Sequence, residues 1–464
     1  MEVKIKKYAN LFEIYRSNLL NNPKSTYIVH KKSQYTYADC NHIIDRITTY
    51  LQCNARKNEL VVGLNFSDQF KFIVSFWACT KLEATIILIQ QPNAHSKISE
   101  LENLNMEMDV MLSDDNFETI HEDKIDFITP SKEIHSNTYI ENSERLGYIY
   151  FYTSGTTGKS KFVKTTYYQI VHAINCIQDE ELMPYAKHQN VLITVPLFHS
   201  YGLSCLVEYT AGNSKIVLPP TKDFITPIQC LFDKSISEHI SAIEGVPYFY
   251  QQMALLLRRM QLPCLQHIGM GGDTVSQKLV DKFHAKNDSV TFSIRYGITE
   301  IPSVIGIRYF TYSTDCKPSK LGKIPSIYNI TIEKDQEDAT IGELSIVHPF
   351  LPNEKKKIQT GDLFEHLGNE FNFISRKTFL KYKGYKINPI EVETHVLAHP
   401  EIDDCKVLLS NRILTAEIVT NDQTITLGRL KEFLKPRLTG FMIPDTIEIV
   451  ESIKRTKTGK IIRH

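Results

Sequence analysis

Between Tyr150 and Lys161 the chain reads Tyr-Phe-Tyr-Thr-Ser-Gly-Thr-Thr-Gly-Lys-Ser-Lys. Hydroxyls at Tyr152, Thr153, Ser154, Thr156 and Thr157 alternate with Gly155 and Gly158, and Lys159 and Lys161 follow. Glycines let a backbone approach an anion with successive N–H groups exposed. Hydroxyls add donors and lysines add charge. That chemistry suits a phosphate, although a Thr/Gly-rich surface turn fits the loop alone equally well. The P-loop signature is excluded. It needs a glycine separated by four residues from Gly-Lys-Ser/Thr, and with Gly158-Lys159-Ser160 as its end that position, 153, holds threonine.

Such a loop needs elements to hold it. Leu146 to Tyr152 reads as a buried strand and Tyr167 to Ile177 as a helix, so a strand–turn–helix context is expected. Upstream, Cys40, Ile43, Ile44, Ile47 and Leu51 recur at helical spacing. Leu60–Leu64, Gln69–Lys81 and Ala84–Ile89 then form a strand–helix–strand pattern, which implies parallel strands. Val191–Val195 and Lys215–Leu218 continue it as strands, and Pro247–Met260 reads as a helix opened by proline. Residues 320–374 are β-rich. After Arg376 the character changes to a compact α+β unit, with helices Pro389–Leu397 and Leu427–Leu438 and strands 404–409, 413–419 and 446–450.

A chain of 464 residues exceeds one hydrophobic core. The expected division is 1–375, a large α/β region of several subdomains with mostly parallel sheets and a β-rich part, and 376–464, a small mobile α+β domain. Lys+Arg 53 against Asp+Glu 53 removes the electrostatic case for nucleic-acid binding. The first twenty residues lack the apolar run of a signal peptide. Phe70–Ile89 is broken by Lys71, Lys81 and Glu83, so no membrane span is expected. Nine scattered cysteines with no Cys-x-x-Cys pair point to reduced thiols and a cytoplasmic protein.

Several motifs in a fixed order carry more than the loop does. Thr153-Ser-Gly-Thr-Thr-Gly-Lys-Ser-Lys161 resembles the phosphate loop of the adenylate-forming superfamily: acyl- and aryl-CoA synthetases, adenylation domains and firefly luciferase. Pro196-Leu-Phe-His-Ser-Tyr-Gly202 resembles the family's acyl-pocket segment, and Gly269-Met-Gly-Gly-Asp273 its glycine turn against adenine. Arg295-Tyr-Gly-Ile-Thr-Glu300 and Thr360-Gly-Asp362 resemble its next two motifs. Arg376, Lys381-Tyr-Lys-Gly-Tyr-Lys386 and Pro389-Ile-Glu-Val-Glu393 resemble its hinge and thiol-path loop. Lys457-Thr-Gly-Lys460 resembles its terminal lysine motif.

The resemblance implies roles. Thr153, Ser154, Gly155, Thr156, Thr157, Gly158 and Lys161 would cradle the ATP phosphates. Gly271, Gly272, Tyr296 and Gly297 would line the adenine side, with Tyr296 stacked on the base. Asp362 would hold the ribose, with Arg376 beside the hinge. Thr299 would touch the α-phosphate and Glu300 would bind Mg²⁺. Lys460 would act in catalysis, bridging carboxylate and α-phosphate. Gly384 would line the path of CoA. His199 reads either as a catalytic-site residue or as a packed pocket wall, and Asp273 as a turn residue. The lysines of 381–386 read as a solvated face or as partners of the CoA phosphates. The implied reaction activates a fatty or aryl carboxylic acid as acyl-AMP, releases pyrophosphate and passes the acyl group to CoA. Delivery to a carrier-protein phosphopantetheine and a non-catalytic adenylate-binding homologue are the alternatives. The chain departs from the family pattern at Ser160, Phe162, Ser375 and Thr378, and the segment from Arg376 to Gly384 is one residue short.

Overall fold

The computed structural model describes residues 8–31, 33–55, 59–89, 107–121, 147–153, 161–219, 225–301, 303–312, 316–334, 340–348, 357–377, 380–382, 385–422, 424–455 and 461–462. The chain packs as two compact units, Met1–Pro318 with Lys323–Ile327, and Ser319–Gly322 with Tyr328–His464.

The first unit holds two sheets. In the five-stranded sheet Val110–Ser113, Val61–Asn65, Thr85–Leu88 and Tyr148–Thr153 lie side by side, with Lys161–Thr166 at the edge. The first four are parallel and the edge strand is antiparallel. Helix Gln69–Lys81 is the crossover that parallel strands require. Asp68 caps it, accepting from the N–H groups of Phe70 and Lys71, which satisfies donors that a helix start leaves open. Phe76 and Trp77 are fully buried on it, and the Trp77 indole donates to the Tyr27 hydroxyl at 2.9 Å. An all-round apolar helix of this kind belongs inside a core.

The eight-stranded sheet runs Gly306–Thr311, Thr291–Tyr296, His267–Gly271, Ala242–Gly245, Asn190–Ile193, Lys215–Val217, Thr26–His30, Ser33–Thr36. Only its two edge strands are antiparallel to their neighbours. Helix Ser200–Ala211 ends at Gly212, where a Cβ would meet the Ala186 carbonyl oxygen at 1.9 Å.

The second unit contains an antiparallel sheet of Asn329–Glu333, Ile341–Val347, Ile358–Leu367 and Glu370–Arg376. After it come the hairpin Leu380–Tyr382/Tyr385–Ile387 and the strands Asp404–Ser410, Ile413–Val419 and Thr446–Ile449. Helices Pro389–Leu397 and Leu427–Leu434 join these strands in one apolar core. The fold class is the one expected: large α/β, mostly parallel, with a β-rich part and an α+β end. The expected division between Ser375 and Arg376 falls inside this second unit, within strand Glu370–Arg376.

One local expectation is corrected. The hydroxyl-rich loop joins two strands, not a strand and a helix. Tyr148–Thr153 and Lys161–Thr166 pair antiparallel up to Thr153 opposite Lys161. Helix Tyr167–Asp179 starts only afterwards, capped by Thr166 in a reciprocal pair with Gln169. Of Phe162 to Thr166 only Thr165 is buried, so the strand carries almost no hydrophobic pattern. Smaller shifts follow the same logic. The helix from Pro247 tightens into a 3₁₀ turn at Leu257–Arg259, and the helix from Leu427 stops at Leu434.

Candidate active site

Strands Asn190–Ile193, Ala242–Gly245, His267–Gly271 and Thr291–Tyr296 are parallel, so their carboxyl ends share one edge of the sheet. Open α/β sheets bind ligands outside that edge. The expected residues of this unit gather there. Gly271 closes its strand, and Gly272 turns the chain at φ +82°, a conformation that suits glycine. Tyr201 lies so close that a Cβ on Gly271 would stand 2.9 Å from its ring. Tyr296 ends the next strand half-buried, and the turn beyond it carries exposed Gly297, half-buried Thr299 and exposed Glu300. His199 is the N-cap residue of Ser200–Ala211, its ring 4.5 Å from that of Phe198. Ser200 and Thr299 touch hydroxyl to hydroxyl at 3.2 Å, which joins the two motifs. Asp273 is exposed and accepts from the Thr274 N–H at 2.8 Å, a local turn contact.

Beside this contact a small pocket of about 20 Å³, room for little more than a water, lies between helices Tyr167–Asp179 and Ser200–Ala211. Phe151, Ile170, Ile174, Leu203 and Val207 make its walls apolar, with hydroxyls of Ser200, Thr299, Ser204 and Ser303 along one side.

The sequence reading missed what lies behind the hydroxyls. Arg295 is buried with Glu208 and Glu244, their side chains 2%, 0% and 0% exposed. Arg295 donates to Glu208, to Glu244 at 2.8 Å and to the Cys205 sulfur at 2.7 Å. Tyr185 donates to Glu208 at 2.9 Å, and Tyr209 and Tyr201 to Glu244 at 2.6 and 3.0 Å. Burial opposes the guanidinium charge, but Cys205, Glu244 and Glu208 hold Arg295 well above its ordinary range. Burial, then the nearby carboxylate, raises the three phenols, so they stay protonated donors. A signal existed: Glu208, Glu244 and Arg295 are isolated charges in otherwise apolar segments, and buried charges must pair.

Asp362 and Arg376 stand in the second unit, opposite each other on adjacent strands. Asp362 is buried, with the Arg376 Nε 3.7 Å from one carboxylate oxygen. Gly361 has φ +72° and gives its N–H to Glu343, which also takes the Lys377 ammonium. Ser375, where the family pattern has glycine, is fully buried and accepts from the Asn388 amide. The same amide donates to the Arg376 carbonyl at 3.0 Å, while the Asn388 side-chain oxygen caps helix Pro389–Leu397. Thr153 and Lys161 are placed only as the ends of the paired strands. Ser154, Gly155, Thr156, Thr157, Gly158, Gly384 and Lys460 lie outside the described residues, as does Thr378. Among the described residues no three His, Cys, Asp or Glu side chains cluster as a metal site. No described helix is long and apolar enough to cross a membrane.

The fold is that of an open-sheet α/β protein, and the motif residues Gly271, Gly272, Tyr296 and Thr299 lie beyond the carboxyl ends of its parallel strands. The profile of the AMP-binding enzyme family matches residues 16–351, and the chain belongs to that family. A 2-succinylbenzoate–CoA ligase of Bacillus licheniformis is 23% identical over 482 residues, spanning 95% of this chain and 96% of that protein. An anthranilate CoA ligase solved with anthranoyl-AMP shares the fold at TM-score 0.78 and 16% identity, covering 98% of this chain and 96% of its own. An O-succinylbenzoate coenzyme A synthetase of Bacillus subtilis, solved with ATP and magnesium, does so at 0.74 and 19%, covering 97% and 98%.

Proposed function

We propose that this chain is an ATP-dependent acid–thiol ligase. The observation that carries the reading is the Ser200–Thr299 contact, where the acyl-pocket motif meets the Tyr-Gly-Ile-Thr-Glu motif. A carboxylate seated there attacks the α-phosphorus of ATP. The new bond is acyl oxygen to phosphorus; the bond broken joins the α-phosphorus to the bridging oxygen, and pyrophosphate leaves with its electron pair. No general base is needed, because the nucleophile is already an anion. What is needed is alignment and relief of charge.

In this reading the loop Thr153–Lys161 holds the outer phosphates, Thr299 donates to the α-phosphate and Lys460 stabilises the charge that develops there. Gly271, Gly272, Tyr296 and Gly297 hold the adenine, Asp362 the ribose, and Arg376 keeps Asp362 in place. His199, at the N-cap of helix Ser200–Ala211, takes the catalytic-site role that the motif implies. Mg²⁺ takes oxygen ligands and is commonly held by one or two carboxylates plus substrate phosphates. The exposed carboxylate of Glu300 fits that pattern. The ion supplies charge neutralisation at the phosphates. A CoA thiol arriving past Gly384 then attacks the acyl carbon, forming the thioester and expelling AMP. All nine cysteines are free, which suits a cytoplasmic enzyme. The domain limits 1–375 and 376–464 remain part of this proposal.

The test is acid-dependent exchange of labelled pyrophosphate into ATP across a panel of carboxylic acids, with CoA or a phosphopantetheinyl carrier protein added afterwards. Exchange followed by thioester formation supports the reading, and the acceptor used separates CoA from the carrier. ADP and orthophosphate as products, or no acid-dependent exchange, would overturn it.

A further inference from the structure

Thr299 and Glu300 stand on the loop that leaves strand Thr291–Tyr296 and returns as the antiparallel strand Gly306–Thr311, with Tyr296 paired to Gly306. The Ile305 N–H donates to the Tyr296 carbonyl at 2.9 Å and closes the neck of the loop. Ile301, Val304 and Ile305 are buried and anchor its returning limb, while Gly297 and Glu300 are exposed on the outgoing one. Apolar burial fixes how deep such a loop sits, but it is non-directional. Aiming Thr299 takes hydrogen bonds.

Helix Ser200–Ala211 supplies them. Ser200 meets Thr299 at 3.2 Å. Glu208, about two turns further along the helix, accepts from Ser303 at 3.1 Å. The same oxygen takes Ser204 at 2.6 Å, and the other takes Arg295 and the Tyr185 hydroxyl. An ionised carboxylate offers about four lone-pair sites, so Glu208 is saturated and cannot turn. Arg295 directly precedes Tyr296, and Ser303 follows Glu300. One buried carboxylate therefore grips the chain on both sides of the loop. Ser303 has φ +65°, in the left-handed region that non-glycine residues rarely occupy. Such strain persists where the surroundings over-determine it. The strained residue also reaches the outgoing limb, since a Cβ on Gly297 would stand 3.1 Å from the Ser303 carbonyl oxygen.

We infer that Glu208 is a positioning residue for the adenylation step: by holding Arg295 and Ser303 it sets the loop that presents Thr299 to the α-phosphate. It acts through the loop and not on the substrate. The inference rests on the acid-activating reading. A merely structural Glu208–Ser303 bond makes the opposite forecast for Ser303→Gly, since glycine adopts positive φ freely and the buried isoleucines would still hold the loop.

The test compares full-length Ser303→Gly, Ser303→Asn, Glu208→Leu and the Glu208→Leu/Ser303→Gly double variant with wild type. Hydrogen exchange is followed without ATP or acid, and pyrophosphate exchange across a panel of carboxylic acids. In Ser303→Gly the Ile301 and Ile305 amides should exchange at least about tenfold faster as the loop opens locally. Its Tm should stay close to wild type, because relief of the backbone offsets the lost hydrogen bond. Its kcat for pyrophosphate exchange should fall about 10–100-fold, the cost of roughly an ångström of misplacement. The KM for the acid should hold, the mark of an interaction that matters in the transition state. Asparagine tolerates the left-handed region and keeps a donor, so Ser303→Asn should bring both readouts back toward wild type. Glu208→Leu conserves volume and leaves Arg295 its Glu244 partner; it should repeat the pattern, and the double variant should lose no more kcat than Glu208→Leu alone. If Glu208→Leu does not fold by circular dichroism, the two Ser303 variants decide. Unchanged amide exchange or kcat in Ser303→Gly, a loss confined to the acid KM, no recovery in Ser303→Asn, or additive losses in the double variant overturns the inference. Faster loop exchange in a chain whose wild type activates no acid upholds the grip of Glu208 on the loop and overturns the ligase reading instead.

Discussion

Arg295→Met isolates the buried charge layer. The replacement keeps the unbranched shape but removes the guanidinium that reaches Glu208, Glu244 and Cys205. It also removes a cation 4.8 Å from the Tyr201 ring and 5.3 Å from that of Tyr185. Two carboxylates, both 0% exposed, are then left without their counter-charge. Breaking a buried ion pair from one side costs about 3–5 kcal/mol, a large share of the ~5–15 kcal/mol that holds a domain folded. At roughly 2 °C per kcal/mol for a large domain, Tm should fall by about 6–10 °C. The companion is the neutral triple, Arg295→Met with Glu208→Gln and Glu244→Gln. Each glutamine keeps a carbonyl oxygen for the tyrosine and serine hydroxyls, so most of the loss should return. Urea unfolding by circular dichroism, with Tm by calorimetry, gives both numbers. A single variant that loses under about 1 kcal/mol, or a triple no more stable than the single, would refute the account.

Three other outcomes are expected. His267 sits between the rings of Tyr185 and Tyr309 and bonds the hydroxyls of Thr291 and Ser293; burial first and then Arg295 push it down to about 3 from 6.5. The unfolded chain therefore binds more protons as pH falls below 6.5, and stability should drop by up to about 1.4 kcal/mol per pH unit. Urea midpoints from pH 7 to pH 4 should show that slope in the wild type and a shallower one in His267→Asn; parallel lines would contradict the assignment. Lys460→Ala should slow acid-dependent pyrophosphate exchange by about 10²–10³-fold, the usual loss of one transition-state partner; near-normal exchange would remove Lys460 from the site. Gly384→Leu should block thioester formation from preformed acyl-AMP while pyrophosphate exchange continues, and equal losses in both steps would reject a separate thiol path.

The elements most legible in the sequence were those with strong end signals. Gln69–Lys81 and Pro389–Leu397 begin and end where capping and periodicity put them, because Asp68 and Asn388 are side chains whose local chemistry ends one conformation and starts another. The edge strand Lys161–Thr166 was missed because its apolar residues, Phe162 and Val163, are adjacent, so no alternation marks it, although both pack partly against the core. The motif order led to the family and to the residues at the strand ends. The charge layer escaped because Glu208, Glu244 and Arg295 are far apart in the chain, and only the folded sheet brings them within hydrogen-bond reach. Ser375, noted only as a departure from the family pattern, proves to be tied to Asn388, a partner thirteen positions away that no local rule names.

The layer behind the pocket also constrains how this protein can change over generations. Glu208, Glu244 and Arg295 form a lock in which no member can be exchanged alone without stranding a charge. Gly269 is drawn in as well, since a Cβ there would meet the Glu244 carboxylate at 2.2 Å. Single neutral steps are therefore closed at four positions in this layer. Phe151, Ile170 and Ile174, apolar residues of the neighbouring pocket, carry no such lock, so one side chain at a time can change there. Divergence among descendants of this sequence should accumulate there first, with the charged trio lost or kept as a set.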